Sequence, residues 1–113
     1  RHKIDIRVNH RGLKREGVLG WCSVIDSNSR PRDFEIELQN GMDISSYAET
    51  LLHELWHVYQ HVKGNLKDKR GKRLWKGIDH TETDYSDQPW EIEALQMESK
   101  LLKEYLTSSK NRV

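Results

Sequence analysis

The chain has a single cysteine, Cys22, among its 113 residues. One thiol cannot close an intrachain disulfide or build a cysteine-based zinc knuckle, so neither crosslinks nor clustered thiolates organise this fold. A lone thiol also suits a reducing compartment. Surplus charge is lacking too: 19 Lys and Arg against 18 Asp and Glu leave a formal net charge of +1, too little for a global pull toward nucleic acid or an anionic membrane. No stretch approaches the roughly 18 apolar residues of a membrane-spanning helix, and no charged-then-apolar leader is visible. The expected compartment is therefore the cytoplasm, with no membrane partner. Apolar residues make up only 35% and charged residues 33%. The expectation is one domain, 1–113, with a modest core drawn from a few elements.

What the chain does have is Thr50-Leu51-Leu52-His53-Glu54-Leu55-Trp56-His57-Val58-Tyr59-Gln60-His61. At about 100° per residue, Ala48, Leu51, Leu52, Leu55, Tyr59 and Val62 fall on one stripe of a helix, with His53 and His57 on the opposite side. Positions i and i+4 have Cβ atoms roughly 5–6 Å apart, so both imidazoles can reach one ion. Neutral imidazoles at that spacing suit zinc, and the carboxylate of Glu54 between them can act on a water at the metal. The helix is expected over about 44–62, opened by Asp43-Ile44-Ser45-Ser46 with Ser46 and Glu49 as a capping box, and closed before Lys63-Gly64-Asn65. His61 continues the series but lies roughly 12 Å along the axis from His53, and is read as a surface residue.

Before that helix, alternation predicts strands within about 1–39. Ile4, Ile6 and Val8 alternate in Arg1–Val8, and Asn9-His10-Arg11-Gly12 then reads as a turn. Gly17–Ile25 is an apolar run with β-branched and aromatic content, Asp26–Pro31 has loop composition, and Phe34, Ile36 and Leu38 share one face of 33–39. Three strands in a meander followed by a long helix predict an α+β fold: a small, mostly antiparallel three-stranded sheet packed on the metal helix. An edge strand of such a sheet could guide an extended peptide.

After the helix, 63–76 is locally basic, with Lys63, Lys67, Lys69, Arg70, Lys72, Arg73 and Lys76 against Asp68. Its expected form is a loop with Arg70-Gly71-Lys72 at the tip of a short ribbon, either merely solvated or touching phosphates with Trp75 free to stack on a base. A second helix is expected over about 88–107, with Asp87 as N-cap and Pro89 at its start. Its stripe is Glu91, Ala94, Leu95, Glu98, Leu101, Leu102 and Tyr105. A carboxylate facing a core needs a cation. Glu91 is the better candidate ligand because the small Ala94 lets the two helices approach, while Glu98 is a candidate partner for a ligating imidazole. Glu93 falls on the far side of the wheel and is expected in solvent.

His53-Glu54-Leu55-Trp56-His57 followed by Glu91-Ile92-Glu93-Ala94 resembles the gluzincin class of zinc metallopeptidases. The nearest likeness is to small SprT-like and minigluzincin domains, phage-encoded ones among them. The resemblance covers roughly residues 44–106. It departs at Leu95, where several related groups carry Asp or Asn. It implies a zinc-dependent peptidase acting on a protein or peptide, in the cytoplasm of the producing cell or of a phage host. Zn2+ would be held by His53, His57 and Glu91, the last supplied by the C-terminal helix, with Glu54 taking a proton from the attacking water. An oxyanion donor is usually wanted as well, and Tyr85, ahead of His80, is the candidate. The alternative is a catalytically silent or latent metal-stabilised binding module that contacts nucleic acid through 63–76. The oligomeric state is left open.

Overall fold

Phe34, Ile36 and Leu38 alternate with Glu35 and Glu37, and all three apolar side chains are completely buried. That alternation gives the strand they sit on one face toward a helix and the other toward water. The computed structural model describes residues 3–26 and 30–110. Arg1 and His2 of the expected first strand, and residues 27–29 of the expected loop, lie outside them. Among the described residues the fold is α+β, with two α-helices and two small three-stranded sheets.

The first sheet holds β1 (Asp5–Arg11), β2 (Gly20–Val24) and β3 (Asp33–Gln39) in the order β1-β3-β2. β2 pairs antiparallel with β3, but β1 runs parallel to it, with Ile6 beside Phe34 and Val8 beside Ile36. The expected meander is therefore wrong: β1 and β2 occupy opposite edges. The connector, residues 12–19, has to cross two strand spacings, roughly 10 Å, which eight residues span with ease. Completely buried Leu13 and the Gln39 side chain hold that connector; the Leu13 N–H donates to Gln39 Oε1 at 2.5 Å. The expected turn at Asn9-His10-Arg11 is also absent. On the outer face Arg11 bonds Glu37 at 2.8 and 3.2 Å and Asn9 bonds Glu35, and these cross-strand pairs keep a polar stretch extended.

Helix α1 (Ile44–Lys63) packs Val58, Leu51, Leu55, Tyr47 and Val62 on the β3 face. Val58 is buried, which contributes roughly 1.5–3 kcal/mol for a side chain of that kind, and the partly buried chains beside it contribute less. The N-cap is Asp43, whose side chain accepts from the Ser46 N–H at 2.8 Å, so Ser46 is a donor in the first turn and not the cap. Gly64 closes the helix at φ 89°, a left-handed conformation that costs glycine little. Tyr59, placed on the core stripe by periodicity, is 44% exposed and lies tilted against the Trp56 ring.

The basic segment, expected as a loop with a ribbon tip at Arg70-Gly71-Lys72, is a hairpin over most of its length. β4 (Leu66–Lys69) and β5 (Lys72–Trp75) pair antiparallel around Arg70 and Gly71, both at positive φ, and a two-residue β6 (Ile78–Asp79) follows. Two positive φ values in a two-residue connection are the geometry that suits strand twist. Lys67, Lys69, Arg70 and Lys72 are exposed, while Arg73 is tied to Asp68 at 2.7 and 2.8 Å. Trp75 is buried with Leu66 and Trp90 in a second small core, so it is withdrawn from any stacking role.

Helix α2 (Pro89–Lys110) starts at Pro89 as expected, but Asp87 lies in a preceding 3-10 turn, Tyr85–Asp87, and Gln88 stands between them. Ala94 is completely buried, while Leu95 and Tyr105, expected on the same face, are 52% and 67% exposed. The inward face is rotated toward Trp90 and Glu93. No helix among the described residues is long and apolar enough to cross a membrane.

His61, expected on the surface, is 4% exposed and lies against Phe34. Burial lowers its pKa to about 4, against about 6.5 in an unfolded chain. The native state thus holds His61 neutral, and between these values the unfolded chain binds the extra proton. Its contribution is fully present above about pH 6.5 and is lost as pH falls toward 4, up to about 3 kcal/mol. Urea unfolding of the parent and of His61→Leu, each at pH 7 and pH 5, should show the smaller pH effect in the variant. Equal pH effects would show that His61 is not held neutral.

Candidate metal centre

The register of α1 on α2 sets this site. Contacts run antiparallel: Gln60 meets Trp90 and Glu93, while His53, one helical face away from the β3 contacts, meets Glu91 and Glu98. His53, His57 and Glu91 each offer one ligand atom, and the three atoms lie within 4.8 Å of one another. His53 Nε2 is 2.9 Å from Glu91 Oε1 and 3.2 Å from His57 Nε2, and His57 Nε2 is 3.3 Å from Glu91 Oε2. Ligand atoms of a tetrahedral site with bonds near 2.1 Å stand roughly 3.4 Å apart. The observed spacings approach that value, and two imidazoles with a carboxylate are a common donor set for a divalent ion. The group could hold a metal ion.

The charges around it are uneven. Burial works against a charged His53, but the hydrogen bond to Glu91 and the charges of Glu54, Glu91 and Glu98 outweigh it and raise its pKa. Burial likewise pushes Glu91 upward, yet its bonds to His53 and His57 hold it well below the usual carboxylate range. Glu54 is 6% exposed. Its pKa is raised, chiefly by burial and against the pull of His57 and His53. Glu98 Oε2 lies 3.0 Å from His53 Nδ1, so that ring is held by a carboxylate on each nitrogen.

A cleft of about 560 Å3 opens beside the group, lined by Gly20, Thr50, His53, Glu54, Tyr85 and Glu98 among others. Tyr85 is at the site: its hydroxyl donates to Glu91 Oε1 at 3.2 Å. Burial and then the Glu91 charge push that phenol up to about 12, so it stays a donor at neutral pH. His80 is elsewhere, bonded to Thr83 and edge-on to Trp90. Cys22 is no ligand. Burial, and next the charge of Glu54, push its thiol up to about 12.

Three residues escaped the sequence reading. A Cβ on Gly20 would stand 2.9 Å from Thr50 Cγ2 and 3.1 Å from Glu54 Oε2; a glycine opening a strand is a known sign of close approach. Gln60 is completely buried and bonds His57 Nδ1 at 2.8 Å. Glu93, expected in solvent, accepts from Trp56 Nε1 and Gln60 Nε2 at 2.7 and 2.9 Å. Periodicity placed Glu93 by assuming the apolar stripe was centred on the contact, and the rotated face defeats that assumption.

Comparison with protein-family models, curated proteins and solved structures finds no match for this chain. The geometry therefore carries the functional reading. Titration with divalent cobalt should saturate at one ion per chain. Glu98→Ala should weaken binding by about 10–100-fold, and Glu91→Ala by more than that. Full affinity in Glu91→Ala would remove Glu91 from the ligand set.

Proposed function

We propose that this chain is a zinc-dependent peptidase of the gluzincin type, similar to the small SprT-like and minigluzincin domains. The observation that supports it is the convergence of His53, His57 and Glu91 beside a cleft whose wall carries Glu54, a carboxylate with a raised pKa. Zinc bound there supplies Lewis acidity, making water acidic near neutral pH and polarising a carbonyl.

The chain's own groups then divide the work. Glu54 takes the proton from the attacking water and hands it to the departing amine, a role that suits a carboxylate whose pKa burial raises. Tyr85 stays protonated and offers a donor to the carbonyl oxygen as negative charge develops. Glu98 keeps His53 turned toward the site. Strand β2 is an edge of the first sheet and borders the cleft through Gly20. Its bonds to β3 include those at Leu19 and Ile25, and strand alternation turns the backbone groups of Gly20 and Cys22 to the open edge. An extended protein or peptide segment could pair there, which fits a peptide-bond substrate.

A silent or latent metal-stabilised module is the competing reading. The buried Glu54 between the two imidazoles speaks against it, since a purely structural ion has no use for a base. The Glu54→Gln variant should keep the ion and the fold, while hydrolysis of a denatured protein substrate falls by about 10²–10⁴-fold. Parent-like cleavage by that variant would remove Glu54 from the mechanism, and a metal-loaded parent that cleaves nothing would favour the silent module.

A further inference from the structure

Gln60 lies one turn beyond His57, completely buried, where a polar side chain must satisfy every group it carries. An amide has an acceptor oxygen and two N–H donors, and which end faces which neighbour is decided by what those neighbours can do. On one side stand the Trp90 carbonyl oxygen at 3.0 Å and Glu93 Oε1 at 2.9 Å. A carbonyl and a carboxylate can only accept, so the amide nitrogen must face them, and both its hydrogens are spent. Its oxygen is then turned to His57 Nδ1 at 2.8 Å. An amide oxygen can only accept, so His57 Nδ1 must carry a proton. Glu93 Oε1 also receives Trp56 Nε1–H at 2.7 Å, so two donors hold the carboxylate oxygen that holds Gln60.

We propose that Gln60, clamped by Glu93 and the Trp90 carbonyl, is a positioning residue that locks His57 with its proton on Nδ1 and so presents Nε2 to the metal group before any ion arrives. This rests on the reading of His57 as a ligand. The same side chain joins the helix that carries the two histidines to the first turn of the helix that carries Glu91, so it fixes the ring and the spacing of the helices together. Its role toward His57 matches that of Glu98 toward His53, with one difference: a neutral amide holds one ring and a carboxylate the other.

The first test is long-range imidazole 15N–1H correlation on the metal-free parent at about pH 8. His57 should show a protonated Nδ1; an unprotonated Nδ1 would overturn the assignment. The second is cobalt and zinc affinity in two variants. Gln60→Leu removes the acceptor and should lose the Nδ1 proton preference and about 10–100-fold in affinity. Gln60→Glu keeps an acceptor for His57 while placing a like charge beside Glu93. It should therefore retain the Nδ1 proton and bind metal more tightly than Gln60→Leu, even though it melts at a lower temperature than the parent. Parent-like affinity in Gln60→Leu, or an unprotonated Nδ1 in Gln60→Glu, would sink the proposal, and the glutamate variant decides the matter if the leucine variant does not fold. A parent that binds neither ion would instead remove the metal reading, and the spectrum of the metal-free protein would still decide what Gln60 does to His57.

Discussion

A carboxylate carried into a helix interface costs several kcal/mol unless positive charge and hydrogen bonds meet it there. Glu91 is that carboxylate, and the rest of the structure is arranged around meeting it. Its oxygens lie within 3.3 Å of both His53 and His57 and receive the Tyr85 hydroxyl. The favourable placement depends on one packing register, α2 laid antiparallel along the face of α1 that turns away from β3. Completely buried Ala94, one turn beyond Glu91, allows the approach. A bulkier residue there would part the helices and leave the carboxylate without its partners.

That register is braced at both ends of the contact. On the sheet side Phe34, Ile36, Leu38 and Val58 fix the rotation of α1, so the histidines cannot turn toward β3. At the start of α2 the hairpin contributes Leu66 and Trp75 to a small core around Trp90, one residue before Glu91. Arg73, bound to Asp68, lies 5.5 Å over the Trp90 ring, where a cation–aromatic contact adds roughly 0.5–1 kcal/mol or more. The basic segment thus has a structural use through Arg73, apart from anything its exposed lysines do. Buried His61 joins α1 to this corner, and burial is what keeps it neutral.

The site also shows how polar groups survive in a small protein with little apolar material. His57, Gln60, Glu93 and Trp56 form a chain in which each donor has an acceptor, and no buried side-chain nitrogen or oxygen among the described residues lacks a hydrogen-bond partner. Such chains are worth having only when complete, since one unmatched member costs about as much as several bonds contribute. Gly20 belongs to the same economy of space: β2 can lie against Glu54 only because nothing projects from that position.

The local features were written in the sequence. The i, i+4 pair His53 and His57, the extent of α1, the alternation of β3, Pro89 at the first turn of α2 and the hairpin tip at Arg70-Gly71 all follow from periodicity and turn chemistry, which act over a few residues. What required tertiary structure was everything set by a distant partner. β1 lies parallel to β3 because a connector crosses the sheet, and no alternation pattern encodes that crossing. Glu93, Gln60 and His61 are inside because α2 is rotated on α1 and a hairpin closes the corner, and a helical wheel knows only its own helix. The gathering of His53, His57 and Glu91 was suggested by residue type and spacing, but their mutual distances were decided by the packing register of two helices, since metal-ligand geometry is a matter of ångströms and sequence separation is not.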